Sequence, residues 1–246
     1  MALQEISAFS KLERQTADGG RDELSFAPAE RIQQSFVAAA EKKALLWLAA
    51  RTPAWINSDH LTALGFAGNI AAGVCYALAA REPMMLLGAV VCLAINWLGD
   101  SLDGTLARVR SQQRPRYGFY VDHVIDTFSA FFLMGGLALS GYVHPAVAMG
   151  MLVAFLMLSV EVYLASYTLK TFRLSYAKFG PTEIRILLAI GSLALLFRPV
   201  IHLFRRPYLL FDVGGVIAIG GMASILTLSA IRHTLQLYRE ERRQCG

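Results

Sequence analysis

Six long apolar blocks constrain this chain more than any other feature. They fall at about residues 60–80 ("HLTALGFAGNIAAGVCYALAA"), 84–108, 118–142, 146–169, 181–203 and 212–235. A run of ~18 or more apolar residues matches the ~30 Å hydrocarbon layer of a bilayer as one helix. Soluble domains alternate apolar and polar residues and are about 25% charged. Here charged residues are 17%, hydrophobic residues 55% and mean hydropathy is +0.46. The pattern predicts an all-α integral membrane protein with six transmembrane helices.

The flanks divide accordingly. Residues 1–27 are polar and read as a mobile cytoplasmic tail. Residues 28–52 read as an amphipathic juxtamembrane helix, with Ile32, Phe36, Val37 and Ala40 on one side and Gln33, Gln34, Glu41, Lys42 and Lys43 elsewhere. It is too polar to span and suits the membrane surface, with Trp47 as anchor; the alternative is an amphipathic helix packed on protein. Residues 53–238 form the six-helix domain and 239–246 a cytoplasmic C-terminal tail.

Arg108, Arg110, Arg114 and Arg116 follow the second block, Lys170, Arg173 and Lys178 the fourth, and Arg232, Arg239, Arg242 and Arg243 the last. All lie on one side if both termini are cytoplasmic. The third loop of the other side is an exception, with Arg198, Arg205 and Arg206 against Asp212. The net charge of +5 is thus accounted for by loops facing anionic lipid, and no nucleic-acid partner is expected. Cys75, Cys92 and Cys245 form no pattern of a disulfide framework or thiolate metal site.

The stretch "GDSLDGTLARVRSQQRPRYGFYVDHVID" runs from Gly99 to Asp126 and joins the second and third blocks. It holds Asp100, Asp103, Asp122 and Asp126. Ionised carboxylates at membrane depth are expensive, and four together require a function. Asp100, Asp103 and Ala107 share one helical face; Gly118, Asp122 and Asp126 share another. If the two helices are antiparallel neighbours, the stripes face each other. Gathered carboxylates repel unless cations neutralise them, and oxygen-only ligands favour hard divalent ions. Gly104, Ala107 and Gly118 clear the carboxylate face for a bulky ligand, and Arg108 suits a phosphate. The plainer reading, aspartates capping helix ends or pairing with nearby arginines, explains one or two of them but not the spacing of all four.

This stretch resembles the signature of the CDP-alcohol phosphotransferase family. The pattern is Asp, two residues, Asp-Gly, two residues, Ala-Arg, eight or nine residues, Gly, three residues, Asp, three residues, Asp. Asp100, Asp103, Gly104, Ala107, Arg108, Gly118, Asp122 and Asp126 match every fixed position. A chance match at a given start is on the order of one in 10⁹ or rarer. The resemblance implies six membrane helices after an amphipathic one, a homodimer, and transfer of a phosphate-linked group from a CDP-linked donor to an alcohol with release of CMP. It implies that Asp100, Asp103 and Asp122, with Asp126, hold two Mg²⁺ or Mn²⁺ ions per active site. It assigns Asp126 as general base and Asp100, Asp103, Gly104, Ala107, Arg108 and Gly118 to nucleotide binding. The active site is expected at the cytoplasmic face of the cell inner membrane.

Donor and acceptor are open. Most compact bacterial-type members of the family use CDP-diacylglycerol, which makes it the favoured donor. The choline and ethanolamine branch transfers from CDP-choline or CDP-ethanolamine to diacylglycerol, and has a histidine where this chain has His123, an alternative base about 100° off the aspartate face. "GPTE" at Gly180 to Glu183 also resembles that branch. Lys170, Arg173, Lys178 and Arg185 read as an acceptor-binding group, or as ordinary cytoplasmic loop charge. Glu161 is an intramembrane acid expected to touch the site or a basic partner. Asn69 and Asn96 read as bonds between helices, and Gly214, Gly215, Gly220 and Gly221 as close packing. A divalent-cation transporter is the competing class, although its usual internal repeats are not evident. The orientation has a direct check: in intact cells, Ser111→Cys is expected to be protected from an impermeant maleimide and to react once the cytoplasmic face is opened.

Overall fold

The computed structural model describes residues 38–169, 181–203 and 205–244. The expected tail at 1–27, the first part of the juxtamembrane helix at 28–37, and Lys170, Arg173 and Lys178 lie outside the described residues. The elements are α1 (Ala38–Arg51), α2 (Ser58–Ala79), α3 (Met85–Val109), α4 (Pro115–Leu139), α5 (Pro145–Leu169), α6 (Pro181–Phe197), β1 (Val200–Leu203), β2 (Arg206–Leu209) and α7 (Leu210–Gln244).

The sequence punctuates these helices clearly. α4, α5 and α6 each open on a proline, whose fixed φ and missing N–H suit a first turn. α2 opens on Asn57, whose side chain accepts from the His60 amide at 3.0 Å while His60 Nδ1 accepts from the Asn57 amide at 3.3 Å. α4 is capped by Ser140 and followed by Gly141, which takes φ +74° as glycine readily does.

Among the described residues, five helices are long and apolar enough to cross a membrane: α2 to α5 and the first 33 residues of α7. The predicted fifth block is helical only to Phe197 and then turns into the β1–β2 hairpin. The last helix runs well past the predicted 235. Leu64, Val74, Val91, Phe131, Val160, Leu187 and Ile217 point outward. An exterior this apolar suits lipid rather than water. The chain is an integral multi-pass membrane protein.

α2 is the spine. It packs against both α3 and α4, while α3 and α4 make their main contacts with α2 rather than with each other. The two aspartate helices are thus held together mainly through α2. Small residues are the reason. A Cβ on Gly99 would strike the backbone of Gly65, and one on Gly136 would strike the carbonyl of Gly73. Ala72, Tyr76, Leu86, Leu93, Leu133 and Leu137 fill the core beyond these crossings. The buried Tyr76 hydroxyl meets Ser192 Oγ at 2.6 Å and ties α2 to α6. Asn96 Nδ2 donates to the Gly65 carbonyl at 2.9 Å, the interhelical bond expected of it. Asn69 Oδ1 is buried with no partner among the described residues. Of the four glycines expected to pack closely in α7, only Gly215 does, against Val147 and Met151.

α1 lays Leu45 and Ala49 against Leu61, Leu102 and Leu106. Glu41, read from sequence as part of the polar side, is buried. Leu46 and Trp47 face outward. Arg110, beyond the end of α3, donates to the carbonyls of Thr52, Pro53 and Ile56 and so fastens the α1–α2 link.

These crossings predict that Gly136→Ala lowers stability by about 1–3 kcal/mol through overpacking. Gly221→Ala, which meets nothing within 4 Å and lies mid-helix, should not lower it and should raise it by up to about 1 kcal/mol. Thermal unfolding of the purified variants in detergent measures both.

Candidate active site

Two helices bring three of the four aspartates to one cleft. Asp100, Asp122 and Asp126 line a single small cleft with Thr62, Gly65, Phe66, Asn96, Ile125 and Ser129. α3 supplies Asp100, α4 supplies Asp122 and Asp126, and α2 supplies the floor. Gly65 is essential to that floor, because a Cβ there would stand 3.1 Å from the Asp100 amide nitrogen. Asp103 lies buried one turn beyond Asp100. Its Oδ2 accepts from Thr62 Oγ1 at 2.6 Å, and its carbonyl accepts from Ser58 Oγ at 3.0 Å. The charges of Asp100 and Asp122 both act on it.

Asp100 has a specific counter-ion. Arg185 Nη2 of α6 stands 2.7 Å from its Oδ2. The arginine named from sequence for acceptor binding thus lies at the aspartates themselves. Arg108 lies over Gly104, with Nη1 3.5 Å from where a Cβ would be, and donates to Thr105 Oγ1 at 3.0 Å. Ala107 is half-buried, and Gly118 opens onto empty space.

His123 is placed differently. Its Nδ1 lies 2.5 Å from the Phe119 carbonyl, and its ring packs between Phe119, at 4.1 Å, and Tyr163 of α5, at 4.6 Å. It is absent from the cleft lining. Glu161 finds the basic partner expected of it, His233 of α7 at 2.6 Å, away from the cleft.

Glu41 of α1 was not foreseen as part of this region. Its Oε1 accepts from Trp97 Nε1 at 2.9 Å, Ser101 Oγ at 3.4 Å and Thr182 Oγ1 at 3.0 Å. One buried carboxylate therefore joins α1, α3 and α6 beside the Asp100–Arg185 pair. Thr62 and Gly65 were also missed, although the small-residue spacing of Gly65, Gly68, Ala72 and Gly73 signals close helix approach.

The polar side chains of the cleft are carboxylates, the hydroxyls of Thr62 and Ser129 and the Asn96 amide. This donor chemistry fits a hard divalent cation. Among the described residues, no three acidic, histidine or cysteine side chains are gathered tightly enough to hold an ion in this arrangement. Asp100 is turned to Arg185 and Asp103 to Thr62. Asp100, Asp122 and Asp126 are exposed to the cleft and its surroundings.

Helices long enough to span a membrane thus enclose a carboxylate-lined cleft. The family model for CDP-alcohol phosphatidyltransferase matches residues 55–227, most of the chain, and the protein belongs to that family. No curated protein matches it. Members transfer phosphorus-containing groups in phospholipid synthesis, taking a CDP-linked donor and an alcohol acceptor, and work with divalent metals.

The Glu41 junction yields a prediction. Glu41→Ala leaves the Trp97 and Thr182 donors without an acceptor, which costs about 1–3 kcal/mol. Glu41→Gln keeps an acceptor oxygen and should retain most of that stability. Thermal midpoints of the two variants in detergent, measured beside CMP release, distinguish them.

Proposed function

We propose that this enzyme transfers a phosphate-linked group from a CDP-linked donor, CDP-diacylglycerol by preference, to the hydroxyl of a small alcohol, with release of CMP. The observation that carries the reading is the shared cleft of Asp100, Asp122 and Asp126 with Asp103 beneath it. We assign these four carboxylates to two Mg²⁺ or Mn²⁺ ions. When bound, such ions neutralise the pyrophosphate and stabilise the leaving CMP. Gly104, Ala107, Arg108 and Gly118 border the nucleotide, where missing side chains admit the cytidine end and Arg108 meets phosphate.

Asp126 accepts the proton of the acceptor hydroxyl as its oxygen attacks the phosphorus distal to cytidine. A new O–P bond forms there, and the bond from that phosphorus to the bridging oxygen breaks. CMP leaves with that oxygen. The packing of His123 against Phe119 and Tyr163 supports giving the base role to Asp126. Arg185, with Lys170, Arg173 and Lys178, collects the acceptor's charge. Family membership supports group transfer over cation transport. The reading places the cleft at the cytoplasmic face, with both termini on that side, α6 as a sixth crossing and α1 at the membrane surface. It takes the enzyme as a homodimer.

Purified protein assayed for CMP release against a panel of CDP-linked donors and alcohols tests the reaction. Activity should require Mg²⁺ or Mn²⁺ and stop in excess EDTA; full turnover there would sink the metal assignment. Asp100→Asn and Asp122→Asn should weaken donor binding and turnover together. Asp126→Asn should keep part of the binding and lose roughly 10²-fold or more in turnover, because an amide cannot take the proton. If His123→Ala loses turnover while Asp126→Asn does not, the base is His123 and the choline and ethanolamine branch is the better reading.

A further inference from the structure

The β1–β2 hairpin has no place in the chemistry above. It lies at the end of α6 away from Arg185, so it stands at the end of the bundle opposite the aspartate cleft. Val200 pairs with Leu209, Ile201 with Tyr208, His202 with Pro207 and Leu203 with Arg206, leaving a two-residue turn. None of the paired residues is buried. A lone two-stranded hairpin is marginal in water, so an exposed one needs a surface to lie on.

Its side chains indicate which surface. Arg198, Arg205 and Arg206 are exposed, and among the described residues none of them forms an ion pair. The nearby acid, Asp212, accepts from the His144 amide at 2.6 Å. Phe197, Val200, Leu203 and Tyr208 are exposed beside these arginines. Apolar and aromatic groups interleaved with guanidiniums are what a membrane interface selects. The depth follows from the backbone. Each strand keeps one open edge of N–H and C=O groups, which hydrocarbon cannot satisfy and the hydrated headgroup layer can. Arg205 sits at φ +64°, a conformation that favours glycine. The turn keeps a charge there despite that preference.

We propose that this hairpin is an anionic-phospholipid clamp on the membrane face opposite the cleft, with Arg198, Arg205 and Arg206 binding headgroup phosphates. Hydrogen–deuterium exchange of the full chain in nanodiscs tests it. Hairpin amides should exchange more slowly in phosphatidylcholine discs containing phosphatidylglycerol than in phosphatidylcholine alone. Each arginine removed should weaken the lipid dependence roughly fivefold, and R198Q/R205G/R206Q should abolish it. Arg205→Gly separates charge from folding. Glycine accepts the positive φ, so the hairpin should be at least as protected in phosphatidylcholine while gaining less from phosphatidylglycerol. Equal exchange in the two discs overturns the proposal, as does an undiminished effect in the triple variant. Equal slowing by millimolar inorganic phosphate in phosphatidylcholine discs also overturns it, because the ligand would then be a soluble anion.

Discussion

Asp100, Asp122 and Asp126 share one cleft because α2 has no side chains where α3 and α4 cross it. Gly65 meets the backbone at Gly99, and Gly73 meets the backbone at Gly136. Lipid tails are as apolar as leucine, so helix association in a bilayer depends on close packing more than on the hydrophobic effect. Two backbone-to-backbone crossings on one helix fix the relative height of the two aspartate helices. The same closeness lets Thr62 reach Asp103 and lets Asn96 close on the Gly65 carbonyl. The glycines and the carboxylates are therefore parts of one arrangement.

A second constraint comes from charge burial. Glu41 is buried yet stays supplied, because three hydroxyl or indole donors from two other helices converge on it. That convergence fixes the start of α6 against α3. Arg185 lies one turn beyond Thr182 on α6, and Asp100 precedes Ser101 on α3. The arginine is thus delivered to the aspartate by a junction neither residue belongs to. α1 serves the cleft through packing and a buried carboxylate, whatever surface its exposed Trp47 meets.

Much of this was legible in the sequence, for physical reasons. Periods of 3.6 put each pair of aspartates on one face, and the long apolar blocks marked the membrane helices. What escaped depended on third parties. Sequence spacing places the aspartate stripes on α3 and α4 but does not reveal that both helices pack chiefly against α2. Glu41 sits among Lys42 and Lys43 and reads as solvent-facing, since its three donors are 56 to 141 residues away. The end of α6 at Phe197 escaped too, because "FRPVIHLF" continues an apolar block that periodicity alone cannot divide into helix and strand.

The short α6 carries a geometric consequence for substrate access. Arg185, at the cleft, and Arg198, beside the hairpin, are thirteen residues apart, a rise of roughly 20 Å. The hydrocarbon layer is about 30 Å thick. With the hairpin arginines in one headgroup layer, the Asp100–Arg185 pair sits roughly 10 Å inside the opposite boundary, or the bilayer thins around the protein to meet it. Any tilt of α6 moves the pair deeper still. A cleft at that depth opens sideways to lipid as readily as upward to water. On the proposed reading, a CDP-linked donor with acyl chains would then present its pyrophosphate to the aspartates without leaving the membrane, while a small polar acceptor would enter from the aqueous side.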